Sequence, residues 1–507
     1  MMISGQLCRI LPLLAVGVLL KAGAAPLAAA DQEQWGQKDS RNMVSDERGL
    51  PEAFDPKTGK NVKWSVPLGT ETHSTPVVAG GRVYIGTNNG EPRDPKHEGD
   101  RGVLMCFDEK DGRFLWQLVV PKRTEDKYLD WPNSGISSPA TVEGNRVYIV
   151  SNRGEVLCLD AAGMANGNDG PYRDEGEHMV PRGGAAQTPG ATDADILWLF
   201  DLVSGAGIWS HDAAHSSILI HGPYLYLNTG TGVDNTHRVI RTPDAPSLVV
   251  IEKATGRLIA RDDEHIAPRI FHSTWSSPSL AQINGRPLVF FVGGDGVVYA
   301  FETVRTNPPP GEVAKLKKVW QFDCDPLGPK EQVHRFTSNR GEGPSNVYGM
   351  PVFHEGRLYV AGGGDIFWGK NEAWLKCIDP TKTGDITRGG QIWSYPLSKH
   401  TMSTVAVRDG LAFVSDCGHE VHCVDAATGS RVWMQETRGE MWASPLVADG
   451  KVYIGTRSGD FWVLAAGKEK RVLSTIELGS PISATATAAN GVLYVTTMSR
   501  LYALHLP

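Results

Sequence analysis

VHCVDAATGSRVWMQE, at residues 421–436, is the stretch of sequence that decides the fold. It holds two short segments in which apolar residues alternate with others, and a polar turn with glycine separates them. This pattern predicts two β-strands joined by a tight turn, the second strand carrying a tryptophan. Residues 104–120, LMCFDEKDGRFLWQLVV, have the same arrangement. A pattern that recurs in this form indicates a repeated structural unit.

A β-hairpin precedes this pair of strands in every unit. Each hairpin has an apolar strand, a turn with glycine and a second apolar strand, and eight copies lie at residues 74–87, 137–151, 216–229, 276–293, 348–362, 402–415, 443–456 and 483–496. Four strands in a unit of about 40 residues are typical of a propeller blade. The sequence therefore predicts an all-β fold, an eight-bladed β-propeller of four-stranded antiparallel blades.

The eighth unit is incomplete, because the chain ends at LYALHLP, residues 501–507, without a tryptophan strand. The missing strand has a counterpart near the N-terminus, where NVKWSVPLG, residues 61–69, lacks the segments that precede every other tryptophan strand. We expect the strand of Trp64 to complete the last blade and close the ring. Closure removes the open strand edges that would otherwise template aggregation.

Three parts of the chain follow from this assignment. Residues 1–30 contain an apolar run, ILPLLAVGVLL, after Arg9 and end in small residues, which predicts a signal peptide cleaved before Asp31. The run is shorter than the roughly 20 residues of a membrane span, so we expect a cleaved export signal rather than an anchor, and a periplasmic or secreted protein without a transmembrane segment. Residues 31–60 form an N-terminal extension, of which residues 31–58 are expected to be dispensable because they precede the closing strand. Residues 61–507 form the propeller.

Composition limits the partners. The net charge is −7 and no long block of one sign occurs, so nucleic acid is excluded as an expected partner. Glycine is frequent, at 57 residues, beside 41% hydrophobic residues, which indicates many turns around a folded core. We expect a monomer that binds a ligand or a protein partner.

Four of the cysteines share one position in the repeat. Cys106, Cys158, Cys377 and Cys423 stand where other units carry valine or alanine. A position shared by these three residue types is small and buried, so we expect free thiols there. The pattern does not account for Cys324 and Cys417, whose disulfide state stays open.

The repeat VVAGGRVYIGTNNG…LMCFDEKDGRFLW, with ends of the form D-x-x-T/D-G-x-x-x-W, resembles the pyrroloquinoline quinone (PQQ) repeat of the quinoprotein alcohol dehydrogenase-like superfamily. The resemblance runs from residue 61 to the C-terminus. It implies a propeller in which the Asp and Gly form a turn and the Trp packs between blades. It leaves the function open, because the superfamily contains dehydrogenases as well as BamB-like exported propellers that bind without a cofactor.

The candidate site lies on one face of the predicted propeller. The segments that lead into the first strands share this face with the loops between second and third strands, which are long at residues 88–102, 230–246 and 363–373. Long loops in a compact repeat are usually functional. The largest insertion, residues 161–196, follows a third strand and is expected on the opposite face.

The leading segments are rich in histidine and aromatic residues. The candidate ligand-binding residues are His73, Trp131, Asn133, His211, His215, His272, Trp275, Tyr348, His400 and Trp442. Converging imidazoles can ligate a metal, move protons or bind a polar ligand. The alternative is that each histidine caps its own blade by bonding a loop carbonyl.

The resemblance also raises PQQ with Ca²⁺ as a cofactor. It would need an aromatic plate, for which Trp275 or Trp442 is a candidate, and donors to its carboxylates, for which Arg269 or Arg335 is a candidate. Asp130 and Asp212 are the nearest matches to oxygen ligands for Ca²⁺. No adjacent cysteine pair, often found beside PQQ in the family's alcohol dehydrogenases, occurs.

Three interpretations of the function stay open. The first is a propeller that binds a ligand or a protein partner on the face rich in histidine and tryptophan. The second is a PQQ-dependent quinoprotein alcohol or sugar dehydrogenase. The third is a lyase or hydrolase that uses the histidines.

Overall fold

Eight sheets, each built from one sequence repeat, surround a central axis. The computed structural model describes residues 1–2, 30–123, 129–212 and 216–507, and the predicted signal peptide lies almost entirely outside the described residues. Seven of the sheets have four antiparallel blade strands that follow one another along the chain, and the last combines three C-terminal strands with the N-terminal strand Val62–Pro67. The prediction of an eight-bladed β-propeller is confirmed.

The hairpin strands lie innermost in each blade. The first strands are Val77–Ala79, Thr141–Glu143, Leu219–His221, Ser279–Ile283, Val352–His354, Ala406–Arg408, Leu446–Ala448 and Thr487–Ala489. The second strands are Arg82–Asn88, Arg146–Val150, Tyr224–Asn228, Arg286–Val292, Arg357–Gly363, Leu411–Ser415, Lys451–Gly455 and Val492–Thr496. Their residues are almost entirely buried.

The third and fourth strands form the outer half of each blade. The third strands are Arg101–Asp108, Glu155–Asp160, Leu248–Glu252, Val297–Glu302, Ala373–Ile378, Glu420–Asp425, Asp460–Ala465 and Arg500–Leu504. The fourth strands are Phe114–Pro121, Ile196–Asp201, Leu258–Arg261, Lys318–Asp323, Gln391–Leu397, Arg431–Glu436, Val472–Glu477 and Val62–Pro67. Two short parallel strands, Ala314–Lys315 and Gly384–Asp385, extend the third and fourth blades outward.

The tryptophans of the fourth strands join neighbouring blades. The indole nitrogen of Trp116 donates a hydrogen bond to the carbonyl of Ala161 in the next blade, 2.9 Å away, and that of Trp433 donates to Gly467, 2.7 Å away. The turn between the third and fourth strands of the next blade packs directly against the indole. A Cβ on Gly429 would lie 2.6 Å from the ring of Trp393, and the backbone there has φ +75°. The glycine of the motif is therefore required twice, by its φ angle and by the packed indole.

The shared cysteine position faces these tryptophans. Cys106 pairs with Trp116, Cys377 with Trp393 and Cys423 with Trp433 across the third and fourth strands. A small side chain is needed there because the large indole fills the same face of the sheet. All six cysteines of the described residues are buried and free, which confirms the prediction of core thiols.

The N-terminal strand closes the ring. It pairs antiparallel with Arg500–Leu504, and Trp64 lies opposite Ala503 at the usual position of the tryptophan. Trp64 donates a hydrogen bond of 3.0 Å to the carbonyl of Glu109 in the first blade. The eighth and first blades are therefore joined by the same contact as other neighbouring blades.

Residues 30–47, which we call the N-terminal strap, lie along the innermost strands. The strap bonds to all eight blades, through Val78, Val142, Ser217, Leu280, Phe353, Val407, Val447 and Ala488. Its Arg41 is fully buried. The expectation that the extension is dispensable therefore does not fit the contacts. The sequence hid them because they are mostly backbone hydrogen bonds, which leave no periodic pattern.

The insertion at residues 161–196 is attached to the face that carries the candidate site. It contains the helix Glu175–His178, and the 3₁₀ turn Gly163–Asn166 precedes it. His178 bonds Glu155, and Asp193 pairs with Lys96 of the first blade's long loop, 2.9 Å away. The prediction that the insertion lies on the opposite face is therefore wrong for this part of it, because its bonds to Glu155 and Lys96 hold it beside the first blade's long loop.

The remaining helical segments are short. They are Leu202–Ala206 and the 3₁₀ turns Ala267–Arg269 and Val333–Phe336. Within the described part of the chain, no helix is both long and apolar enough to cross a membrane.

Candidate functional site

A cavity of about 360 Å³ opens where the leading segments and the long loops meet. Six of the ten candidate residues line it, namely His73, Trp131, His272, Trp275, Tyr348 and Trp442. The cavity also takes Trp35 from the N-terminal strap. The face that the repeat pattern singled out thus carries this cavity, and the strap contributes a residue to its lining.

The other candidates lie elsewhere. His211 is buried behind the cavity wall, and His215 lies outside the described residues. Asn133 and His400 are absent from the cavity lining, as is the exposed Arg335. Arg269 lies in a separate cleft, where it bonds Asp295 and Tyr299.

Aromatic rings form most of the cavity wall. The rings of Trp275 and Tyr348 lie 4.5 Å apart between centroids, and Phe367 meets Trp442 edge-on at 6.2 Å. Trp131, Phe367 and Trp368 also line the cavity and are 41%, 39% and 37% exposed. They are the exposed tryptophan and phenylalanine side chains of the described residues. The exposed aromatic surface is therefore gathered at one cavity.

Charged groups occupy one side of the cavity. The guanidinium of Arg457 lies 4.2 Å from the ring centre of Trp442, and it donates to Ser483 at 2.8 Å. The ring of His73 stacks on the same indole, with 6.1 Å between the ring centres, and its Nε2 lies 3.5 Å from Glu71. Burial lowers the pKa of Arg457. This side can orient a polar substituent of a ligand.

Three histidines meet at the deep end of the cavity. A nitrogen from each of His211, His237 and His272 lies within 4.8 Å of the others. The Nε2 atoms of His211 and His272 are 3.0 Å apart. His237 belongs to the long loop of the third blade, and His211 and His272 belong to the segments that lead into the third and fourth blades.

Backbone hydrogen bonds hold these histidines in place. The amide of His211 donates to Gly230, and the amide of Val233 donates to the carbonyl of His272 at 2.9 Å. Gly232 passes between the two segments, where a Cβ would lie 2.5 Å from the carbonyl of His272. A glycine is needed at this close approach. The loop is thereby clamped to both leading segments.

Acidic groups surround the histidines. Asp365 lies 3.0 Å from Nδ1 of His272 and accepts a short hydrogen bond from Tyr348. Burial lowers the pKa of His272, but the charge and hydrogen bond of Asp365 outweigh it and raise the pKa above its ordinary value. Burial, with the nearby His272 and His237, holds the pKa of His211 well below its ordinary value. Burial raises the pKa of Asp212 to about 6.

This arrangement does not fit PQQ with Ca²⁺. Calcium takes six to eight oxygen ligands, whereas the deep end presents imidazole nitrogens. Its buried carboxylate, Asp365, is engaged by Tyr348, by His272 and by the amides of Phe367 and Trp368. Of the arginines proposed as donors, neither Arg269 nor Arg335 lines the cavity. No quinone chemistry follows from these residues.

The sequence missed several residues of the site. His237, Phe367, Trp368 and Asp365 lie in the loops 230–246 and 363–373, whose length marked them as functional. The repeat could not rank residues inside these loops because they have no counterpart in other blades. Of the two candidate oxygen ligands, Asp212 lines the cavity, while Asp130 pairs with Lys122 and Asn152.

Comparison with known proteins shows which family the chain matches. A family model described as outer membrane protein assembly factor BamB matches residues 30–125, 100–166 and 371–505, which together exceed half of the chain. A crystal structure of BamB from Moraxella catarrhalis superposes with a TM-score of 0.52 and 13% identity, over 88% of this chain and 97% of that one. At this identity the superposition shows the fold alone.

Two curated relatives are similar over most of this chain. Lupanine 17-hydroxylase (cytochrome c) of a Pseudomonas species is 24% identical over 406 residues, 76% of this chain and 52% of the relative. Quinohemoprotein alcohol dehydrogenase ADH-IIG of Pseudomonas putida is 23% identical over 454 residues, 81% of this chain and 57% of the relative. The chain thus spans little more than half the length of either relative.

Proposed function

The chain belongs to the PQQ-repeat propeller family described as outer membrane protein assembly factor BamB, and on this premise we propose that it is an exported propeller that binds a small ring-bearing ligand. The ligand enters the aromatic cavity and packs a flat face against the exposed indoles. Export to the periplasm or beyond is part of the proposal and rests on the apolar run at residues 10–20.

The exposed aromatic rings at the cavity carry this proposal. Trp131, Phe367 and Trp368 leave about two fifths of their surface in water, although a ring of this kind can bury about 150–250 Å² when it is fully covered. A protein retains such a patch where a ligand or partner covers it. The rings line a cavity of about 360 Å³, within the size range of small-molecule sites, which favours a small ligand over a flat protein surface.

The chemistry of the lining narrows the ligand. Indole faces bind the flat faces of aromatic rings and sugars, while Arg457, His73 and Glu71 offer hydrogen bonds at one side. A ring with a few polar substituents satisfies both sets of groups.

A fragment screen tests the proposal. Saturation-transfer NMR with a library of phenols, indoles and monosaccharides is run on the full protein and on a Trp131→Ala/Trp368→Ala variant. We expect ring-bearing fragments to bind the native protein and at least tenfold more weakly to the variant, since each stacked ring contributes about 1 kcal/mol beyond its burial.

The control is Ile392→Ala, which removes an exposed apolar side chain from an outer strand and should leave binding unchanged. A library without hits, or hits that bind both variants equally, would contradict the proposal. Capture of an outer-membrane protein by the native chain but not by the double variant, without any fragment hit, would favour a protein partner instead.

A further inference from the structure

We propose that His211, His237 and His272 form a binding site for a divalent transition metal ion of the Zn²⁺ type at the deep end of the aromatic cavity. The inference is independent of the ring-bearing ligand, because it concerns the imidazoles and not the indole walls.

The outer contacts of two histidines are those of metal ligands. Nδ1 of His272 lies 3.0 Å from Asp365, and Nδ1 of His211 lies 2.7 Å from the carbonyl of Val233. Metal-bound histidines nearly always donate their other ring nitrogen to a carboxylate or a backbone carbonyl. Both rings then turn Nε2 toward the same point.

The spacing of the nitrogens suits a tetrahedral ion. Ligands that bind Zn²⁺ at about 2.0–2.1 Å in a tetrahedron lie roughly 3.3 Å from each other. The Nε2 atoms of His211 and His272 are 3.0 Å apart, and the His237 nitrogen lies within 4.8 Å of both. A small movement of the His237 loop therefore completes a three-histidine site.

A fourth position faces the cavity. Asp212 lines the cavity, and its Oδ2 is 3.4 Å from Nε2 of His211 and 3.7 Å from Nε2 of His272. This carboxylate can complete the coordination or leave the position to water and to a ligand. Three nitrogens with one exchangeable position are the ligand set of catalytic zinc sites.

Another histidine cluster of the described residues lacks these features. His422 lies with Asp416 and Glu420, but its Nδ1 lies 3.1 Å from the hydroxyl of Tyr395 and its Nε2 lies 3.1 Å from Asp416. This cluster brings one imidazole to two carboxylates, whereas the proposed site brings three imidazoles together. The convergence of three imidazoles thus separates the proposed site from an ordinary buried histidine.

Metal titration tests the site. Protein stripped with EDTA is titrated with Zn²⁺ alone by calorimetry, and with Co²⁺ by visible spectroscopy. We expect one ion per chain and the intense d–d bands of tetrahedral Co²⁺. His237→Asn should weaken binding at least 100-fold, and asparagine suits this position because it tolerates the φ of +56° there.

Two further variants make the test specific. Asp365→Asn should weaken binding by about 10–100-fold through the orientation of His272. The control His221→Gln removes an imidazole of an innermost strand, outside both the cavity lining and the cluster, and should bind the metal as the native protein does.

The proposal is overturned if no tetrahedral Co²⁺ spectrum appears. It is also overturned if His237→Asn binds Zn²⁺ as tightly as the native chain. In that case the short contact between His211 and His272 is a hydrogen bond between imidazoles and not the remnant of a metal site.

Discussion

Replacing Arg41 with alanine should show that the N-terminal strap is part of the propeller. The guanidinium donates to the carbonyls of Pro278, Trp35 and Ser217 at 3.0, 3.0 and 2.9 Å, and to the hydroxyl of Ser217 at 3.0 Å. Alanine leaves the buried carbonyls of Pro278 and Ser217 and the partly buried carbonyl of Trp35 without this donor, and each such loss costs about 1–2 kcal/mol. Both residues carry a Cβ, so the strain at φ +59° cancels. The free energy of unfolding should fall by about 3–6 kcal/mol.

Thermal unfolding measures this change. The entropy of unfolding of a chain this long is on the order of 1 kcal/mol per degree, so the melting temperature should fall by about 3–6 °C. Arg48→Ala is the matched control, since Arg48 lies just beyond the strap and is exposed. If the Arg41→Ala variant and the native protein have the same melting temperature, the assignment of the strap to the core is refuted.

Two further predictions concern closure and acid stability. Trp64→Ala should lower the free energy of unfolding by about 3–5 kcal/mol and reduce the soluble yield. Trp64→Phe should have a smaller effect, because it loses mainly the hydrogen bond to Glu109. Equal soluble yields of the Trp64→Ala variant and the native protein would contradict closure of the ring by this strand. Burial raises the pKa of Glu155, but the nearby His178 and Arg153 outweigh it and hold this pKa at about 2. The ionised carboxylate therefore stabilises the folded protein fully above pH 4.5, and this stabilisation is lost as the pH falls toward 2. Glu155→Gln should therefore be less stable by on the order of 3 kcal/mol at pH 6, and urea unfolding should show this difference vanishing near pH 2.

The fold was predictable because the repeat encodes contacts that recur. Trp393 pairs with Cys377 in its own blade and packs on Gly429 of the next one. The spacing of tryptophan, small residue and glycine therefore records both the strand register and the blade interface. The same logic located Trp64 as the closing strand, since Ala503 occupies the small position opposite it.

The site was predictable only to the level of segments. The leading segments gave His272 and Trp275 because their position in each blade is fixed by the repeat. Both are buried, at 2% and 8% exposure, so they support the structure around the cavity as well as lining it. His237 and Trp368 escaped prediction because their loops have no repeat, and only the folded chain shows which of their side chains turn inward.

The strap and the cavity are physically coupled, which sequence segmentation could not show. Arg41 bonds the carbonyl of Trp35, and the indole of Trp35 both donates to Thr485 and lines the cavity. Loss of the Arg41 side chain frees this carbonyl, so the indole of Trp35 loses part of its anchor. The Arg41→Ala variant should therefore bind ring-bearing fragments more weakly as well as melt earlier. A segment that precedes the propeller in the sequence thus helps to shape its cavity, because the innermost strands to which it bonds also support the cavity wall.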